Sequence, residues 1–192
     1  QTCALPISGR GLRIEWTSFA DPINADLPEA QLFAVRLGAE PVLLLNRDID
    51  NAYEVLESRG HHGAKARIRD AIFHQIVNQV WTSLIGTAWS QLVEACADDT
   101  LDGLEILDEL TAWQREVIVD WAPLLVPELN ADRGQAVLEV ISMARDAGSS
   151  GLLLVHRVPA AIQERFRTVR SFEGLVREAQ LFGGASRSEE HT

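Results

Sequence analysis

Between Ile72 and Val93 apolar residues come in pairs every four positions: Ile72/Phe73, Ile76/Val77, Val80/Trp81, Leu84/Ile85, Ala88/Trp89 and Leu92/Val93. Polar or small residues fill the gaps. A repeat this close to the helical period predicts one long helix, about Ala64 to Ala97. The repeat also limits what can surround that helix. A straight helix turns once in 3.6 residues, so a strict four-residue spacing drifts by about 40° per step and about 200° over five steps. No single partner on one side covers such a stripe. The helix must meet several partners in turn, or bend, and Gly86 is the expected place for a bend. Thr82, Ser83, Gly86, Thr87 and Ser90 are small, so neighbours can approach closely. The pattern points to the central helix of an irregular bundle, not to one strand of a coiled coil.

The residues before this helix read differently. Leu12 to Phe19 alternates apolar and polar side chains, with Leu12, Ile14 and Trp16 on one face, which predicts a half-buried strand. A loop with Pro22 and Pro28 follows. Gln31 to Leu37 fits a second strand ended by Gly38, and Val42 to Leu45 is a short apolar run expected as a buried strand. After Asn46 the pattern turns helical. Asp48 or Asp50 is placed to cap a helix through Glu57, with Gly60 behind it. Leu104 to Trp121 is helical in spacing and is expected to break at Pro123 and Pro127. Asp132 to Ala147, closed by Gly148, repeats the pattern. Leu152 to Val155 fits either a short strand or a buried helical turn. Pro159 suits the first turn of a helix through Arg167, and Ser171 is expected to cap a last one through Phe182. Trp81, Trp89, Trp113 and Trp121 sit among aliphatics and are expected in the core. The expected fold class is α+β: a small N-terminal β-sheet over residues 9–46, which need not be complete, then an irregular α-helical bundle over 47–184.

The two ends stand apart. Gln1-Thr2-Cys3-Ala4-Leu5-Pro6-Ile7-Ser8 and Ser186-Arg187-Ser188-Glu189-Glu190-His191-Thr192 resemble translated sequencing-adapter read-through, and together cover fewer than one residue in ten. The resemblance implies that residues 1–8 and 185–192 are artefacts of a metagenomic assembly, and that the rest is a fragment of a longer protein.

The formal net charge is −11 and is unevenly spread. From Asp98 to Asp132 ten acids face Arg115 alone, a net −9, whereas Arg59, Lys65, Arg67 and Arg69 lie in a stretch without acids. So acidic a chain is a poor general nucleic-acid binder, because phosphate neutralisation supplies most of that affinity. Sixteen Arg against one Lys suggest a GC-rich, bacterial genome. Cys3 lies in the adapter-like leader, leaving Cys96 alone on an apolar helix face, which favours a reducing, cytoplasmic setting. No apolar run approaches the ~18 residues of a membrane span.

Two constellations are candidate sites. Arg59, His61, His62, Lys65, Arg67 and Arg69 surround a glycine-flanked turn entering the long helix, where free N–H groups and the helix dipole favour an anion. The plainer reading, which carries more weight, is a solvated turn whose arginines pair with the acidic stretch. Asp98, Thr100, Asp102 and Glu109 fall at calcium-loop positions one, three, five and twelve, with Gly103 at six. Thr100 and Glu105 depart from that template, and no second loop is visible. An acidic helix start is therefore preferred to calcium, the one cofactor the sequence raises. A metal set of His61, His62, Asp70 and His74 is weaker still, since only Asp70 and His74 share a helical face.

No Gly-x-Ser-x-Gly, His-Glu-x-x-His, Cys-x-x-Cys or dinucleotide fingerprint is present in the chain. The expected role is a non-enzymatic interaction or regulatory module whose partner is another protein or the rest of its own longer chain. The alternative is a fragment of a metal-dependent hydrolase or phosphate-handling enzyme whose remaining residues lie outside. Because the ends lack periodicity, a chain of residues 9–184 is expected to melt at the same temperature as the full sequence. A clear drop on trimming would show that the ends pack.

Overall fold

The computed structural model describes residues 12–60, 63–97, 101–129, 132–146, 156–170, 172–174 and 176. The expected architecture is present: a three-stranded sheet followed by helices around one long helix. Strands β1 (Arg13–Thr17), β2 (Phe33–Arg36) and β3 (Val42–Asn46) lie in the order β1-β3-β2. β3 is antiparallel to β2, through the turn containing Gly38 and Pro41, and parallel to β1. As the middle strand it is buried on both faces, which explains its unbroken apolar run. Leu43 and Leu45 join the main core with Phe33 and Leu12, while Leu44 packs with Ala34 and Phe19 on the other face.

That second face is covered by the loop of residues 18–32, fastened by two buried amides. Asn24 Nδ2 donates to Thr17 Oγ1 at 3.1 Å and to the Ser18 carbonyl at 2.8 Å, and Asn24 Oδ1 accepts from Arg36 at 3.1 Å. Asn46 Nδ2 donates to the carbonyls of Glu29 and Gln31 at 2.8 and 2.9 Å. Asp48 or Asp50 was expected to cap the next helix, and neither does. Instead the Asp48 carboxylate accepts from the Ser18 hydroxyl at 2.6 Å and from Ala20 N at 3.2 Å. The Ser18 hydroxyl, then the Ala20 N–H, hold its pKa below the ordinary carboxylate value. Asn51 holds the N-cap position of helix α1 (Ala52–Leu56) without a side-chain capping bond, and its φ of 62° lies in the left-handed region that Asn tolerates.

Helix α2 (Ala64–Ala95) runs unbroken through Gly86. Its paired residues from Ile76 to Leu92 are buried, and the winding stripe meets several partners. It touches α1, β2, α3 (Ala112–Leu125), α4 (Arg133–Arg145) and α5 (Val158–Arg165). The four helical tryptophans are all buried, and Trp81 and Trp121 pack with ring centroids 4.7 Å apart. Phe166 lies against both rings, and the Arg165 guanidinium sits 4.9 Å from the centroid of Trp121.

The segment expected as one helix from Leu104 to Trp121 is two elements. Gly103–Glu109 is a 3-10 helix, and α3 begins after Thr111, whose N–H donates to Gln114 Oε1 at 2.9 Å. Thr111-x-x-Gln114 is the capping-box sequence that restarts the helix. Pro123 does not break α3, which continues to Leu125. A proline at 123 leaves the Val119 carbonyl without its normal donor four residues on. Arg133 Nε fills that place, donating to Val119 O at 3.2 Å, and another guanidinium nitrogen pairs with Asp120. Asp132, where the helical pattern was expected to begin, caps α4 by accepting from Gln135 N at 3.0 Å, and proline opens α5 as expected. Leu152–Val155, Gly148 and the Ser171 cap lie outside the described residues.

Arg133→Ala is expected to cost about 0.5–1.5 kcal/mol, the net value of a typical hydrogen bond. Combined with Pro123→Ala, which restores an N–H to Val119 O, it is expected to cost less. Equal costs in both backgrounds, by chemical denaturation, would show that Arg133 does not substitute for the missing donor.

Candidate functional site

The basic turn is built from the end of α1 and the start of α2. Gly63 stands at the helix N-cap with φ 93°, a left-handed value that only glycine adopts without strain, and no side chain caps the helix there. Arg69, one turn inside α2 with its side chain 14% exposed, reaches back over the turn. It donates to the carbonyls of Ser58 and, at 3.0 Å, of Gly60, and pairs with Asp70 at 2.8 Å. Lys65 pairs with Glu54 of α1. Lys65 and Arg69, both expected to hold an anion, are thus engaged with their own chain. Arg59 is exposed, Arg67 is partly buried, and His61 and His62 lie outside the described residues.

The acidic stretch does not supply the partners of Lys65 and Arg69. Asp102 pairs with Arg145, Asp108 with Arg115, Asp120 with Arg133 and Glu128 with Arg157. Of the calcium-template residues, Asp98 and Thr100 lie outside the described residues. Asp102 is 96% exposed and 3.8 Å from Arg145. Glu109 ends the 3-10 helix and lines a shallow depression with Gln91, Glu94 and Leu101. Among the described residues no group of three or more His, Cys, Asp or Glu side chains is placed to hold a metal ion. Asp70 is taken by Arg69, and His74 borders a groove between α2 and α5 with Asn78, Ile162 and Phe166. Cys96 is buried, and burial pushes its thiol pKa up. No helix among the described residues is long and apolar enough to cross a membrane.

A different kind of surface is offered by the edge of the sheet. Among the described residues β1 pairs on one side only, with β3. The Thr17 carbonyl accepts from Arg47 N at 3.0 Å, so Thr17 turns its backbone groups inward. Alternation along a strand then turns those of Arg13 and Glu15 inward too, and those of Ile14 and Trp16 outward. Beside this edge lies an apolar patch. Ile14 is 44% exposed although it shares the helix-side face with Leu12 and Trp16. Tyr53, 60% exposed, meets Trp16 edge-on at 5.1 Å, and Trp16 Nε1 donates to Glu57 at 3.2 Å. The other edge, β2, is shorter and ends on Arg36, which is tied to Asn24 and Asp26. A short edge closed by a charged residue is poorly suited to accept a strand. The alternation of Leu12 to Phe19 announced β1, but only its place at the side of β3 makes it an edge.

Compared with known proteins, the chain matches no family model, no curated protein and no solved structure.

Arg69→Ala is expected to cost about 1.5–3 kcal/mol, the range for hydrogen bonds to charged groups. Arg59→Ala should stay within about 0.5 kcal/mol, as for surface substitutions generally. Equal denaturation midpoints for the two variants would show that Arg69 does not hold the turn.

Proposed function

We propose that this chain is a non-enzymatic interaction module, a cytoplasmic piece of a longer bacterial protein, that accepts a protein strand along β1. The observation that carries the reading is the one-sided pairing of β1 beside exposed Ile14 and Tyr53. Unpaired strand backbone is a template for another extended segment. Its hydrogen bonds supply affinity, and the alternate side chains beside it supply selectivity. The incoming strand belongs to a separate protein or to the remainder of the same longer chain.

Hydrogen exchange tests the reading at residue level. In dilute solution the outward amides of Ile14 and Trp16 are expected to exchange far faster than those of Leu43 and Leu45 in the central strand. Strong protection of Ile14 and Trp16 in a monomeric sample would mean that the chain covers its own edge, and the reading would fall.

A further inference from the structure

We propose that the strand accepted by β1 is β1 of a second copy of this chain, antiparallel about a two-fold axis at Ile14. The proposal rests on the open-edge reading above and adds the occupant and the register. In an antiparallel pair, residues opposite one another both turn their backbone groups toward each other or both turn them away. Leu12, Ile14 and Trp16 share one backbone direction, outward, so a two-fold must be centred on a residue and not between two. Centred on Ile14, the outward-facing residues Leu12, Ile14 and Trp16 of both copies are all paired. Ile14 then meets its own counterpart as a hydrogen-bonded pair, and Leu12 lies opposite the partner copy's Trp16.

The charges choose the same register. Arg13 and Glu15 lie on the opposite sheet face and pair with each other within one copy. Centring on Ile14 sets Arg13 of each copy opposite Glu15 of the other, in the closer, non-hydrogen-bonded type of pair. Centring on Arg13 sets two arginines opposite one another, and centring on Glu15 sets two glutamates opposite one another. Both are repulsive. On the helix-side face the two Ile14 side chains meet and lose the exposure each has alone. The result is a continuous six-stranded sheet with an isologous interface, the commonest symmetry of soluble oligomers. A five-residue edge with its flanking Trp16 and Tyr53 is small against the roughly 1,200–2,000 Å² of stable interfaces, so the pair is reversible and its population follows concentration.

The test is sedimentation equilibrium of the full chain across a wide concentration range, with hydrogen exchange on the same samples. The expected result is a mass rising from one copy to two, with the Ile14 and Trp16 amides gaining protection in step. Arg13→Glu alone should weaken the dimer by roughly tenfold, since it turns two cross-strand attractions into repulsions. Adding Glu15→Arg to it should restore the dimer, because the swap keeps opposite charges opposed only in the Ile14-centred register. Ile14→Pro removes the outward N–H without touching the β3 ladder and should leave a folded monomer. A monomer at every concentration overturns the dimer. If its Ile14 and Trp16 amides exchange freely, the open-edge reading stands. If they are protected, both fall. A dimer indifferent to Arg13→Glu and Ile14→Pro overturns the proposal by placing the contact elsewhere, and one that the charge swap fails to restore overturns the register.

Discussion

The four-residue repeat of α2 governs most of the fold. Because its apolar stripe winds around the helix, burying Ile76 through Leu92 takes neighbours on several sides. Helices α3, α4 and α5 and the sheet all pack against α2. The same winding explains why the bundle is irregular. A heptad stripe lets helices run side by side for their whole length, whereas a drifting stripe lets each neighbour share only a short stretch before it must diverge. The sheet enters as one more of these covering surfaces, contributing Leu43, Leu45 and Phe33 to the same core.

Diverging helices leave awkward ends, and arginine repairs several of them. Arg69 answers the carbonyls after α1, Arg133 the carbonyl orphaned by Pro123, Arg157 that of Leu125 at the end of α3, and Arg145 that of Leu101. Each of the four also has a carboxylate within ion-pair distance, Asp70, Asp120, Glu128 or Asp102. A guanidinium can serve both at once because its donors form a rigid planar fork, which an ammonium lacks. The sequence shows a strong excess of arginine over lysine. The structure supplies a use. Asp102, Asp108, Asp120 and Glu128 of the acidic segment each have such an arginine close at hand in the bundle.

What the sequence made legible was what periodicity encodes. The long helix, the three strands, the buried tryptophans and the Asp132 and Pro159 helix starts all follow from apolar spacing or local capping chemistry. What it hid depended on residues far apart in the chain. Asp48 looked like a helix cap, and nothing local says that Ser18, thirty residues earlier, would claim its carboxylate. Pro123 looked like a helix stop, and its tolerance depends on Arg133 from the next helix. The break at Thr111 was legible and overlooked, since Thr-x-x-Gln is a local signal that aliphatic spacing on both sides overrode. The basic turn was expected to find its counter-charges in the acidic stretch, because charge counting along the chain cannot see Glu54 folding back onto Lys65.

The edge beside Ile14, unpaired among the described residues, carries a hazard, because unpaired strand backbone does not by itself choose its partner. Natural sheets commonly blunt such edges with charge. Here Arg13 and Glu15 do so selectively. They stand two residues apart on one face with Ile14 between them, so moving the two-fold to either neighbouring residue brings like charges together. A strand of another sequence meets the same pair and is accepted only if its own charges answer it. The arrangement that discourages indiscriminate pairing is therefore the one that favours a second β1 in a single register, and specificity and protection come from the same two side chains.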